Sequence, residues 1–259
     1  MLLAIDIGNT SIDVGLFEKG KLRTKWDLAT DVYKSMDEYA MVLLALLEYQ
    51  GLSSSDVDEA VICSVSPTLV PVFRDVCRRY LSASPLVVEA GVKTGVSILM
   101  DNPREVGPDR IVNAVGGHHL YGGPLIVIDF GTATTFDVVS EKGDYLGGAI
   151  APGIKVATES LFQRTAKLPR VELIRPRHVI GRDTVSAMQS GFIYGYVGLI
   201  EGLVARIQRE LGSQTRVVAT GGYAEMLAEE TQVIEVVDQY LTLVGLRIIH
   251  ELNLGRKHV

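Results

Sequence analysis

Two short stretches, 123 positions apart, limit what this chain can fold into. In Leu3-Ala4-Ile5-Asp6-Ile7-Gly8-Asn9-Thr10, apolar residues run into an Asp, then a Gly and a polar turn. The stretch Val127-Ile128-Asp129-Phe130-Gly131-Thr132-Ala133-Thr134-Thr135-Phe136-Asp137 does the same. At this offset Ile5 matches Ile128, Asp6 matches Asp129 and Gly8 matches Gly131; farther on, Glu18-Lys19-Gly20 matches Glu141-Lys142-Gly143. Apolar and β-branched runs on either side of a tight Gly turn read as a β-hairpin. Either stretch alone could be an ordinary hairpin with an Asp/Gly turn. A repeat that recovers both a turn and the hairpin after it predicts two related halves, 1–121 and 122–259, with the last helix able to pack back on the first. In each, glycine permits the sharp turn and leaves room for a ligand. Turn N–H groups and Thr hydroxyls can cradle a phosphate, with Asp129 nearby to hold a cation.

The intervening sequence reads as alternating strands and helices. Helical spacing of Met36, Tyr39, Ala40, Leu43, Leu44 and Leu47 predicts a helix over 35–50, closed by Gly51. Strands are expected near 23–28, 60–65 and 86–89, with helices over 67–81 and up to 119. The second half is read as strands 125–129, 134–139 and 145–150, helices 152–164 and 183–211, strands 216–220 and 233–237, and a last helix 239–252. Each half is expected to repeat one order: hairpin, β, α, β, α, β, α. That is an α/β fold of two duplicated domains, each a mixed sheet flanked by helices, with the ligand in an interdomain cleft beyond the strand ends.

The net charge of −6 argues against a general nucleic-acid binder, which needs a basic face. It does not oppose phosphate ligands, since helix N-termini and turn amides bind anions without net positive charge. Cys63 and Cys77 have neither disulfide-framework nor metal spacing and read as buried free thiols. With no leader-like start and no apolar run of about 20 residues, the expectation is a cytoplasmic protein without a membrane partner. The histidines 118, 119, 178, 250 and 258 lack zinc spacing and read as structural or surface residues, and Trp26 as core. A P-loop, a nucleophile elbow and a catalytic Cys/His signature are all missing.

Four segments remain for chemistry. In Asp101-Asn102-Pro103-Arg104-Glu105-Val106-Gly107-Pro108-Asp109-Arg110, charge gathers before an amphipathic helix. Pro108 suits a first turn, where spare N–H groups favour an anion. Arg110 could pair with a substrate carboxylate and Asp109 could take a proton from a hydroxyl; a capped helix with a surface ion pair is the plainer alternative. Ala219-Thr220-Gly221-Gly222 could border an adenosine or simply turn from strand to helix. Asp183 or Thr184 could cap a helix, or Thr184 could face substrate. Gly191, Gly195, Gly198 and Gly202 in one helix cost about 1 kcal/mol each relative to Ala, which close approach of another helix, here read as a subunit contact, would offset.

Taken in order, Asp-Ile-Gly-Asn-Thr, Gly-Pro-Asp-Arg, Asp-Phe-Gly-Thr-Ala-Thr-Thr, Gly-Arg-Asp-Thr-Val-Ser-Ala-Met-Gln-Ser-Gly and Thr-Gly-Gly resemble the type III pantothenate kinases, of the acetate kinase/sugar kinase/Hsp70/actin superfamily. The resemblance implies actin-like (ribonuclease H-like) domains and ATP-dependent phosphorylation of pantothenate, the first step of coenzyme A synthesis. It implies ATP contacts along Asp6, Ile7, Gly8, Asn9, Thr10, Ser11, Ile12 and Asp13 and at Thr132. It implies substrate contacts at Met100, Gly107, Pro108, Asp109, Arg110 and Thr184, with Asp109 the proton acceptor. Asp129 would hold a monovalent cation (K⁺ or NH₄⁺), Mg²⁺ would travel with ATP, and the protein would be a homodimer with its substrate pocket near the interface. Two positions depart from the pattern. Met100 stands where many relatives carry a Tyr, and Asp13 puts a carboxylate near the phosphate region unless it faces away on its strand. Two other functions share the resemblance: a catalytically silent accessory transcription factor, and a same-fold kinase of another small hydroxyl substrate.

Overall fold

The computed structural model describes residues 1–254. By compactness the chain forms two units, one of Met1–Val96, Asp101–Gly116 and 240–254, the other of Ser97–Met100 and Gly117–Gln239. The first is built on strands β1 (Leu2–Ile7), β2 (Ser11–Glu18), β3 (Lys21–Ala29), β4 (Glu59–Ser64) and β5 (Pro85–Val87). Its helices are α1 (Met36–Tyr49), α2 (Leu69–Tyr80), the start of α3 (Pro108–Tyr121) and α7 (Leu241–Asn253). The second has β6 (Leu125–Phe130), β7 (Ala133–Val139), β8 (Tyr145–Pro152), β9 (Arg216–Thr220) and β10 (Val236–Val237). Its helices are α4 (Ile154–Arg164), α5 (Thr184–Leu211) and the short α6 (Ala224–Ala228).

The two five-stranded sheets share one topology. The first runs β3-β2-β1-β4-β5 and the second β8-β7-β6-β9-β10, each with two antiparallel pairs followed by two parallel ones. Mixed α/β units of this kind are the fold class expected from the repeat. Helix order does not repeat strictly, however. Two helices, α4 and α5, separate the third and fourth strands of the second sheet, where the first has only α1. The expected strand over 233–237 shrinks to Val236–Val237, and the helix expected from Pro67 starts at Leu69.

Alternation along the strands divides each sheet into two faces. In the first unit Leu3, Ile5, Ile7, Ile12, Val14 and Leu16 face α1 and α2, packing on Tyr39, Leu43, Leu47, Phe73 and Val76. Leu2, Ala4, Phe17, Val61 and Cys63 share the other face with Val112, Val115, Leu243, Leu246 and Ile249 of α3 and α7. There two helices approach very closely: a Cβ on Gly116 would lie 2.7 Å from the Leu241 carbonyl oxygen, and one on Gly245 2.2 Å from that of Val112. The helix start expected at Ser35 is a capping box, Ser35 accepting from the Glu38 N–H and Glu38 answering to the Ser35 N–H. Cys63 and Cys77 are buried free thiols, whereas Trp26, expected in the core, is only half-buried on β3, an edge strand of its sheet. His118 is tied to the Glu141 carbonyl oxygen, His250 is buried and His178 exposed; His258 lies outside the described residues.

Candidate active site

Asp6 sits near the end of β1, opposite Asp13 on β2 and opposite Cys63 on β4; Asp13 in turn lies opposite Asp27 on β3. These four side chains form one row across the sheet, on the face of Leu2, Ala4 and Val61. Asp13 therefore does not face away: it points to the same side as Asp6. Its carboxylate is held by Lys25, whose Nζ lies 2.6 Å from Asp13 Oδ1 and 2.9 Å from Asp27 Oδ1. Burial, then contact with Asp27, raises the Asp13 carboxyl above the ordinary value, against the pull of Lys25. Burial works against the Lys25 ammonium, but its bonds to Asp13 and Asp27 outweigh that and raise it. The Cys63 thiol is pushed far up, first by burial, then by the carboxylates of Asp6 and Asp109. It stays protonated beside Asp6. Asp109 thus lies within electrostatic reach of the row.

The turn after β1 closes through the Gly8 N–H, which donates to the Ser11 carbonyl at 2.9 Å. It is braced from the end of β3, where the Thr30 hydroxyl donates to the Gly8 carbonyl (2.8 Å) and the Thr30 N–H to that of Thr10 (3.1 Å). Asn9, Thr10 and Ser11 are exposed. Ile7 and Ile12, expected along the nucleotide, bury their side chains in the core on the opposite face, leaving only backbone for a ligand.

Gly107 ends a loop, and its carbonyl accepts the N–H groups of Arg110 (3.1 Å) and Ile111 (3.3 Å), opening α3 at Pro108. A Cβ on Gly107 would lie 2.5 Å from Asp109 Oδ1, so the glycine leaves the space that carboxylate occupies. Burial raises the Asp109 carboxyl, opposed by the Arg110 N–H, the Arg110 charge and its own N–H. It sits half-buried in the first turn of the helix, beside Arg110.

In the second unit Asp129 lies opposite Thr135 on β7 and Thr220 on β9. The turn is one residue shorter, the Gly131 N–H donating to the Ala133 carbonyl at 3.0 Å. Gly131 and Thr132 are exposed. The N-terminus of α4 tucks against this turn. Gly153 donates to the Thr132 carbonyl (3.0 Å), and a Cβ there would be 2.4 Å from the carbonyl oxygens of both Gly131 and Thr132. Residue-by-residue reading missed Gly153; the signal was a Pro-Gly pair ahead of a helix. The turn at Thr220-Gly221-Gly222 is also placed more sharply than expected. Gly221 has φ +91°, and a Cβ would lie 2.7 Å from Asp129 Oδ1, so it borders the Asp129 carboxylate. A carboxylate bordered by glycine, beside the exposed turn residues Gly131 and Thr132, fits a hard cation bound through oxygens. Among the described residues no three His, Cys, Asp or Glu side chains gather as a metal cage. An ion here would draw part of its shell from phosphate oxygens, as Mg²⁺ at nucleotides does.

Met100 lies beside β8, its Sδ 3.4 Å from a Cβ built on Gly147. Thr184 is the first residue of α5, whose cap is Asp183, accepting from the Ser186 N–H at 2.9 Å. Capping therefore does not engage Thr184, which lines a cavity of about 540 Å³ with Leu161, Leu168, Ala187, Met188 and Phe192.

A family model described as type III pantothenate kinase matches residues 2–206. A type III pantothenate kinase of Moorella thermoacetica is 54% identical over 98% of this chain and 100% of its own length. One from Dehalococcoides mccartyi is 53% identical over 97% of this chain and 98% of its own. Among solved structures, one described as a Baf family transcriptional activator from Campylobacter jejuni superposes with a TM-score of 0.63 at 19% identity, covering 98% of this chain and 100% of that one. At that identity the likeness is one of fold alone.

Proposed function

This chain belongs to the type III pantothenate kinase family, and on that premise we propose how its own residues serve the reaction. The enzyme phosphorylates pantothenate with ATP and a divalent metal, giving 4′-phosphopantothenate at the start of coenzyme A synthesis. Asp109 is the general base. The pantothenate hydroxyl oxygen bonds to the γ-phosphorus, the bond from that phosphorus to the ADP oxygen breaks, and the hydroxyl proton passes to Asp109. The observation that carries this role is the Asp109 carboxyl itself, half-buried at the start of α3, in space left by Gly107, and raised by burial above the ordinary carboxylate value, which makes it a stronger base. Arg110 pairs with the pantothenate carboxylate, and Met100, Gly107, Pro108 and Thr184 line the substrate. Asp6, Gly8, Asn9, Thr10, Ser11 and Asp13, the backbone of Ile7 and Ile12, and Thr132 contact ATP. Phosphoryl transfer asks mainly for placement and charge neutralisation, which turn amides supply. Asp129 holds the monovalent cation, K⁺ or NH₄⁺, which together with Mg²⁺ neutralises phosphate charge.

The protein acts as a cytoplasmic homodimer. In support, Gly191, Gly195 and Gly198 of α5 are exposed, and a Cβ on any of them would meet nothing within 4 Å. That face is open to a second copy; light scattering should give a mass near twice 28.1 kDa. Among the described residues, no helix is long and apolar enough to cross a membrane. The accessory-activator reading draws on a shared fold at 19% identity, whereas the kinase reading draws on 53–54% identity over nearly the whole chain.

Asp109→Asn tests the base. It keeps size but cannot take the proton, so kcat should fall about 10²–10⁴-fold with the melting temperature unchanged. Arg110→Ala should chiefly raise the KM for pantothenate. A folded Asp109→Asn enzyme with wild-type kcat in single-turnover assays removes the assignment. ATP consumption with other hydroxyl substrates but not pantothenate would favour the same-fold alternative.

A further inference from the structure

Thr30, the residue after β3, holds the Gly8–Ser11 turn by two bonds of different kinds. Its N–H donates to the Thr10 carbonyl at 3.1 Å, continuing the β2–β3 ladder one step past Ser11 and Ala29. Its hydroxyl donates to the Gly8 carbonyl at 2.8 Å, a bond that only the side chain can make. Thr30 is itself anchored through its neighbour. Asp31 gives its N–H to the Tyr39 hydroxyl, and that hydroxyl donates to the Asp31 carbonyl, both at 2.9 Å. Tyr39 is buried on α1, its ring centroid 4.7 Å from that of Phe73. A strut of bonded groups therefore runs from the core to the turn, wholly within one compact unit.

Peptide geometry gives the hydroxyl bond its consequence. A trans peptide is planar, so the carbonyl of one residue and the N–H of the next point in opposite directions. Fixing the Gly8 carbonyl on Thr30 therefore turns the N–H of the exposed Asn9 away from Thr30. The peptide after a glycine is easily turned over, because a residue without Cβ has few steric limits on its dihedrals. Rotation would exchange acceptor for donor: the Gly8 carbonyl oxygen would take the side now given to the Asn9 N–H. Facing a phosphate, that exchange replaces attraction by repulsion.

We infer that Thr30 is a positioning residue for the nucleotide: its hydroxyl locks the Gly8–Asn9 peptide with the Asn9 N–H turned toward a phosphate of ATP. The inference rests on the ATP contact proposed above for the Gly8–Ser11 turn. Thr30 acts through the amide that it orients. Its effect is confined to ligands that carry phosphate, since adenosine offers that amide no anion.

The test compares MgADP and adenosine binding by isothermal titration calorimetry, together with steady-state kinetics, on the full-length enzyme. Thr30→Val keeps the shape and the N–H bond to Thr10 but loses the hydroxyl. It should weaken MgADP about tenfold or more, the effect of one lost hydrogen bond to a charged group, and raise the KM for ATP alike. Adenosine binding and the KM for pantothenate should stay within about twofold. Thr30→Ser should restore wild-type MgADP affinity. Gly8→Ala, whose Cβ would come within 2.8 Å of the Ser11 carbonyl oxygen, displaces the turn itself and should also weaken MgADP. A folded Thr30→Val enzyme with wild-type MgADP affinity, beside a weakened Gly8→Ala, overturns the inference and leaves the role of the turn standing. Wild-type MgADP affinity in both overturns that role and the inference with it. Equal weakening of adenosine and MgADP in Thr30→Val would make Thr30 a brace of the fold alone and overturns the inference too. Should Thr30→Val fail to fold, Thr30→Ala decides by the same readouts.

Discussion

β1–β2 and β6–β7 occupy the same place in identically ordered sheets, yet the residue opposite the leading Asp is Asp13 in one and Thr135 in the other. The first hairpin continues that row into Asp27 and needs Lys25 between the carboxylates. The second replaces the charge with a hydroxyl that reports to buried Asp137, and sets Gly221 against Asp129. The turns differ too: Gly8 bonds to Ser11, whereas Gly131 bonds to Ala133, one residue nearer. On the roles proposed above, the difference divides one backbone plan between two tasks. A carboxylate beside other carboxylates and a clamped lysine suits a nucleotide that brings its own metal. A carboxylate among hydroxyls and glycine suits an ion held by the protein.

The sharpest way to break the comparison is to neutralise the two aspartates in turn. Asp129→Asn should erase the advantage of K⁺ over Na⁺ and lower kcat/KM on the order of 10²-fold, the usual cost of losing one electrostatic group at a phosphoryl site. Asp6→Asn should keep the K⁺ preference and raise the KM for MgATP. If both variants lose K⁺ selectivity alike in steady-state assays, the hairpins are not specialised.

Lys25→Met probes the charge that only the first hairpin carries. The Lys25 ammonium is raised above the ordinary lysine value, so its stabilising contribution is present below that value and fades as pH rises through the folded one. Asp13 is raised and takes up a proton early on acidification, which relieves the repulsion that Lys25 screens. The variant should therefore melt about 3–6 °C below wild type at pH 8, with a deficit that shrinks as the solution is acidified. A deficit independent of pH in differential scanning calorimetry would mean that Lys25 contributes through packing alone.

The smallest contrast lies in the turns. A Cβ on Gly8 would come within 2.8 Å of the Ser11 carbonyl oxygen, while one on Gly131 would sit 3.6 Å from that of Ala133. Gly8→Ala should lower the melting temperature by about 2–4 °C and Gly131→Ala by about 1 °C or less. Equal shifts would show that the Gly8 turn relaxes around the methyl group.

Much of this was legible in the residues. The Asp-x-Gly repeat announced both hairpins, and helical spacing with Ser35 and Gly51 marked α1 to within a residue. Periodicity carries such information because strand and helix faces are local properties. Both helices between β8 and β9 were read from their own spacing, but they break the expected repeat of element order, because duplication preserves a sheet's register better than the connections around it. The matched Glu-Lys-Gly tripeptides illustrate the limit. The first closes a two-residue turn between β2 and β3, the second lies in a five-residue connection between β7 and β8 that absorbs the residue missing from the shorter hairpin turn. Identical letters at one offset occupy different turns.

Glycine draws the same line. Four glycines in α5 stood out by their spacing, but Gly116 and Gly245, where helices touch backbone to backbone, did not. Nothing near Gly245 in sequence reveals that Val112 will lie over it. By itself the sequence determined the family, the two hairpins, the α/β class and the order of most elements, because each follows from local pattern or ordered motif. Only the tertiary structure decided that Asp13 shares a row with Asp6, that Gly221 and Gly153 close on the second turn, and that Thr30 holds the Gly8 carbonyl. Those contacts bring together residues far apart in the chain, and their geometry is set by register and close packing, which no local signal encodes.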